Sequence, residues 1–121
     1  MRVVGLGFRG GADMASLQDA LTRVLADAGG SIDAIVTESG KARAVAFRDL
    51  AQALDVPGLG VAVSDLGQMI TPTQSARIID RFGTGSLCEA AALAAVGTDG
   101  RLVAGRVVSG DGMATAALAE R

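Results

Sequence analysis

The first half of the chain alternates short apolar runs with segments of helical period, and this alternation restricts the fold more than any other feature. Residues 2–6 form an apolar run that Gly7-Phe8-Arg9-Gly10-Gly11 breaks. Leu17, Leu21, Val24, Leu25 and Ala28 then recur at helical spacing, which predicts a helix over 14–28. Asp13 is its expected N-cap and Gly29-Gly30 its stop. Residues 32–37 read as a second strand and Glu38-Ser39-Gly40-Lys41 as a polar loop. Phe47, Leu50, Ala51 and Leu54 mark a second helix, closed by Pro57-Gly58, and 59–63 a third strand. The order β-α-β-α-β predicts an α/β fold with a mostly parallel sheet and right-handed crossovers.

The second half is less regular. Residues 64–70 show no clear period, and Thr71-Pro72-Thr73 reads as a loop. Ser75 is placed to cap a short helix carrying Ile78, Ile79 and Phe82, which Gly83-Thr84-Gly85 ends. Residues 86–96 are nearly all Ala and Leu, the pattern of a helix buried on most sides. Residues 101–108 and 113–118 read as two strands joined by Ser109-Gly110-Asp111-Gly112, a C-terminal hairpin. The last of these segments is alanine-rich and fits a helix as well.

Composition removes several kinds of chemistry. A chain of 121 residues with half of them apolar makes one domain, 1–121, with a real core. Histidine is absent, which excludes Ser-His and Cys-His nucleophile pairs and most zinc sites. The single cysteine, Cys88, excludes an internal disulfide. No cluster of acids builds a hard-cation site, so neither a metal nor a resident cofactor is expected. Without Trp or Tyr, and with three Phe, stacking on nucleic-acid bases is nearly excluded. The net charge of −2 and an acidic pI argue against nucleic-acid and anionic-membrane partners. The N-terminus lacks the long apolar run of a signal peptide, and a cytoplasmic location is the expectation.

Four loops carry candidate sites. Gly5-Leu6-Gly7-Phe8-Arg9-Gly10 matches the G-x-G-x-x-G dinucleotide fingerprint. The acid expected about 20 residues on would be Glu38, 28 residues beyond Gly10. The same stretch also reads as a tight βα turn, or as an anion site in which backbone N–H groups and the Arg9 guanidinium receive a carboxylate. In Gly83-Thr84-Gly85-Ser86, Ser86 with Glu89 forms a capping box, each side chain serving the other's backbone N–H. The functional alternative is a second anion cradle with Thr84 and Ser86 hydroxyls, and Cys88 reads as a small core residue. Thr37 to Lys41 follows the second strand at its carboxyl end, where open parallel sheets bind ligands. Arg106, in the stretch with Ser109, Asp111 and Thr115, is either an edge-strand charge or a carboxylate partner. Together these loops describe a site for a multiply anionic small molecule.

The stretches GLGFRGGAD at 5–13, TPTQSARIIDRFGTGSLCEAAALAA at 71–95 and RLVAGRVVSGDGMATAALAE at 101–120 resemble the CobE/CbiG C-terminal family of cobalamin-biosynthesis proteins. The resemblance runs over nearly the whole chain and is looser around 37–54. It implies a three-layer α/β/α domain and a role in building the corrin ring of vitamin B12 by the aerobic route. Phe8 stands where the family's first loop often carries a cysteine, and Arg106 where a lysine is common. A corrinoid intermediate carries carboxylate arms around an apolar macrocycle. Arg9, Lys41 and Arg106 would meet the arms. Gly7, Gly10, Thr37, Thr84, Gly85, Ser86 and Glu89 would line the anion loops, and Phe8 and Met113 would meet the ring. The leading expectation is a protein that binds or hands on such an intermediate, alone or with other enzymes of the pathway. One alternative is a hydrolase that opens the ring-A lactone, with Glu38 as base and Lys41 as oxyanion stabiliser. The other is dinucleotide binding.

Overall fold

The structure is a computed structural model; it describes residues 1–82 and 84–121, and the side chains of all of these except Asp27, Asp80 and Arg81. Strand β1 (Arg2–Phe8) leads into helix α1 (Met14–Ala28) and strand β2 (Ala34–Glu38). A 3-10 turn over Lys41–Arg43 precedes α2 (Val45–Leu54) and β3 (Gly58–Val61). Three helices follow, α3 (Val63–Leu66), α4 (Ala76–Phe82) and α5 (Leu87–Val96), and the chain ends in the hairpin β4 (Arg101–Val108) and β5 (Ala114–Glu120). The third strand ends earlier than its expected 59–63, because Val63 already starts α3. The alanine-rich last segment is a strand, paired along its length with β1 and β4.

The five strands lie in the order β3-β2-β1-β5-β4. β1, β2 and β3 pair in parallel, whereas β5 is antiparallel to both of its neighbours. The sheet is therefore mixed, with β5 alone running against the rest. Alternation along β1 assigns the two faces. Val4 and Leu6 join Leu17 and Leu21 of α1, Phe47 and Leu50 of α2, and Leu118 of β5 in one buried cluster. On the opposite face Val3 packs with Ala92 and Val96 of α5, and Val36 packs with Leu87 and with Leu66 and Phe82 of α3 and α4. The result is three layers, α/β/α. Among the described residues, no helix is long and apolar enough to cross a membrane.

Helix α5 lies unusually close to the sheet, and Gly5 is the reason. A Cβ built on Gly5 would stand 2.0 Å from the Cys88 carbonyl oxygen and 2.8 Å from the Ala92 nitrogen. The first two glycines of the apparent dinucleotide fingerprint are thus strand residues. Their missing side chains admit α5 and Thr115, whose Oγ1 would lie 2.7 Å from a Cβ on Gly7. No pyrophosphate loop is formed at Gly5 and Gly7, and this removes the geometric basis of the dinucleotide reading.

The hairpin is tied to α1 by side-chain bonds. Asp13 caps the helix by accepting the Ser16 N–H at 3.0 Å. The Ser16 hydroxyl donates to Asp111, and Asp111 also accepts from the Ser109 hydroxyl at 2.6 Å and the Met113 N–H at 3.0 Å. The Gly110 N–H donates to Asp19 at 2.6 Å. The hydroxyls of Ser109 and Ser16, with the Met113 N–H, hold the Asp111 carboxyl down at about 2.

Two outcomes follow from these contacts. Gly5→Ala is expected to cost about 2–3 kcal/mol by overpacking, whereas Gly10→Ala, where nothing lies within 4 Å of the added Cβ, leaves urea-denaturation stability nearly unchanged. The stabilisation from Asp111 is complete above its unfolded pKa of about 4 and lost as pH falls through its folded value of about 2. Asp111→Asn should therefore melt below wild type at pH 7, with the gap closing between about pH 4 and pH 2.

Candidate functional site

A cavity of about 440 Å³ opens at the carboxyl end of β1. Ligands of open α/β sheets usually bind beyond the carboxyl ends of the parallel strands, and this cavity lies there. Its lining comes from five places: the β1–α1 turn, Lys41, the start of α4 with Phe82, the start of α5, and the hairpin with Arg106. The floor is buried and built from Gly7, Phe82, Gly85, Ser86, Leu87 and Ala114, whereas Arg9, Arg77 and Arg106 are exposed at the rim. Among the described residues no Asp or Glu lines it.

Each cation is placed by a local device. The backbone of Arg9 is pinned to the hairpin, its N–H donating to the Met113 carbonyl at 3.0 Å, and Ala12 closes the turn onto the Arg9 carbonyl at 3.0 Å. Lys41 is set by Glu38, whose carboxylate accepts the N–H groups of Gly40 at 2.8 Å and Lys41 at 3.0 Å. The Lys41 ammonium donates to the Phe8 carbonyl at 2.6 Å and lies 5.0 Å from the Phe8 ring centre and 5.8 Å from that of Phe82. Phe8 itself stacks on Phe47 at 6.3 Å. Arg77 projects from the first turn of α4.

Arg106 depends on a buried acid. The β4–β5 register slips between Leu102 and Ala104 and again between Ala104 and Val107. Such bulges free a backbone N–H from the ladder, and that of Arg106 donates to the Glu89 carboxylate at 3.0 Å. Glu89 is 1 % exposed and also accepts from the Thr73 N–H at 2.9 Å and the Thr73 hydroxyl at 3.2 Å. One carboxylate on α5 therefore holds the strap before α4 and the bulge of β4 together.

This arrangement corrects the capping-box reading by half. The Ser86 hydroxyl does accept the Glu89 N–H, at 3.5 Å, but the Glu89 carboxylate turns to Thr73 and Arg106 instead of back to the Ser86 N–H. Cys88 is fully buried, and desolvation pushes its thiol up, so it stays a core residue.

Of the residues expected at the site, Gly7, Phe8, Arg9, Gly10, Lys41, Gly85, Ser86 and Arg106 line the cavity. Glu89 does not; it supports the wall from beneath. Glu38, the candidate base, does not line it either, and both of its oxygens serve the turn before Lys41. Thr37 and Thr84 are buried outside the lining, and their hydroxyls find no partner among the described residues. Gly83 lies outside the described residues. Sequence reasoning missed Ser75, Arg77, Ile78, Phe82 and Leu87. The helix over 75–82 was expected, but its apolar spacing spoke for core and hid Arg77 between Ser75 and Ile78.

Removing the Glu89 acceptor leaves three donors without it. Glu89→Ala is expected to cost at least about 3 kcal/mol, at about 1–3 kcal/mol for each donor left unsatisfied, and to speed hydrogen exchange at the Thr73 and Arg106 amides.

A family model and two solved structures point to one family. A family model described as the cobalamin synthesis G C-terminus matches residues 2–119. No match is found among curated proteins. Among solved structures, CobE, a protein from the cobalamin (vitamin B12) biosynthetic pathway, aligns with a TM-score of 0.88 at 29% identity, over 100% of this chain and 93% of that one. The cobalamin biosynthesis protein chiG from Agrobacterium tumefaciens str. C58 aligns at 0.76 and 33% identity, over 98% and 97%. A cobalamin biosynthesis protein G homolog from Sulfolobus solfataricus shares the fold at 0.72 and 18% identity, over 98% of this chain and 36% of that one. The chain belongs to the family of the cobalamin synthesis G C-terminus, the family its glycine-rich first turn and its last fifty residues resemble.

Proposed function

We propose that the cavity binds a polycarboxylate corrinoid intermediate of aerobic cobalamin biosynthesis and holds it for, or hands it to, the next enzyme of the pathway. The observation that carries this reading is the pairing of an apolar interior with a cationic rim. Phe8, Ile78, Phe82, Leu87 and Met113 offer contact to a ring, and Arg9, Lys41, Arg77 and Arg106 come from four different elements around it. Guanidinium forks suit carboxylates because they bond them in pairs. The chain's overall charge is negative, so attraction of an anion has to be local to this mouth. Family membership supports the ligand class. A binding role is preferred to lactone hydrolysis because the candidate base, Glu38, is engaged by the backbone of its own turn.

The test is a visible-absorbance titration with cobyrinic acid, against the amidated cobinamide as control. Protein side chains do not absorb visible light, so the ligand spectrum reads cleanly. Cobyrinic acid is expected to bind and cobinamide to bind far more weakly. Arg9→Ala and Arg106→Ala should each weaken cobyrinic acid about tenfold, equivalent to about 1.4 kcal/mol, and added salt should weaken it further. Unchanged binding in both variants would place the ligand elsewhere.

A further inference from the structure

We infer that the site grips its macrocycle by one edge and leaves the opposite edge in solvent. The inference rests on the corrinoid reading above and goes beyond it in three steps.

The first is size. Clefts of roughly 300–1,000 Å³ enclose most of a drug-sized molecule. The cavity here, about 440 Å³, lies toward the lower end of that range. A tetrapyrrole-derived macrocycle with its acid arms is larger than a drug-sized ligand, so a substantial part of it stays outside.

The second is the order of polarity with depth. The floor is buried, and its side chains are apolar or small, with the Ser86 hydroxyl among them; the arginines stand exposed around the rim. A ring edge that enters first meets Phe82, Leu87 and Ala114, and its arms spread to Arg9, Arg77 and Arg106. A macrocycle lying flat across the mouth would reach the rim and leave the floor unfilled.

The third is the rigidity of the walls. Glu89 bonds the strap at Thr73 and the bulge at Arg106 at once, so these two walls are coupled and do not spread independently to admit a whole ring. Among the described residues three arginines stand exposed at the rim, Arg9, Arg77 and Arg106, and each can pair with one carboxylate arm.

The experiment counts shielded arms. Cobyrinic acid, saturated with protein as judged by the visible titration, is treated with a water-soluble carbodiimide and an excess of a small amine. The ligand is then extracted and weighed by mass spectrometry beside free ligand treated alike. The expected result is that the shielded arms match the three rim arginines in number, and that the remaining arms label at the free-ligand rate. Arg77→Ala and Arg106→Ala should each expose one further arm while melting near the wild-type temperature. Shielding of every arm would overturn the edge-on grip and leave corrinoid binding intact. Labelling identical to free ligand at spectral saturation would overturn it equally, since no arm would then meet a cation. Absence of any spectral titration would remove the corrinoid reading itself, and this inference with it.

Discussion

The closeness of α5 to the centre of the sheet governs most of what this domain does. Side chains of ordinary size would hold the helix at a distance. Here Gly5 presents only a hydrogen, its partner on β5 is Ala117, and α5 meets them with Ala92. The helix sinks until the Cys88 carbonyl occupies the space of a missing Cβ. That depth puts Leu87 and Ser86 at the floor of the cavity and Glu89 under its walls. A larger residue at Gly5 would lift the site as well as weaken the fold.

Glu89 shows how such burial is sustained. An isolated carboxylate loses several kcal/mol of solvation when it leaves water. Here two backbone N–H groups and a hydroxyl replace that water, and neither N–H belongs to the ordinary helix or sheet ladder. The acid needs the donors, and the donors need the acid. Lys41 follows a similar logic, since Glu38 orders the turn that carries it and the Phe8 carbonyl receives it at the mouth.

Much of the fold was legible because periodicity encodes layers. The helix over 14–28, its Asp13 cap and its Gly29 stop all appear where apolar spacing and end signals put them. The last strand was legible only as one of two choices, because alanine suits a helix and, equally, a strand pressed under α5. The site was legible where a loop combined glycine with a cation, as at Arg9, Lys41 and Arg106. It was illegible at Arg77, whose neighbours Ile78 and Phe82 pack inward and read as core. Glu89 was found for the wrong reason. A capping box is a local pattern, whereas its bonds to Thr73 and Arg106 span 16 and 17 residues of sequence. No local rule reaches that far.

The irregular course of β4 has a consequence beyond the cavity. β4 is the outermost strand on its side of the sheet, with one row of backbone groups facing away from β5. A flat strand in that position invites pairing with another chain. The two register slips bend it, and the residues around the second slip, Gly105 and Arg106, supply an N–H turned inward to Glu89 and a charged side chain turned out. The distortion that sets one cation at the cavity also spoils the outer strand as a template for edge-to-edge aggregation. Straightening it would surrender both properties together.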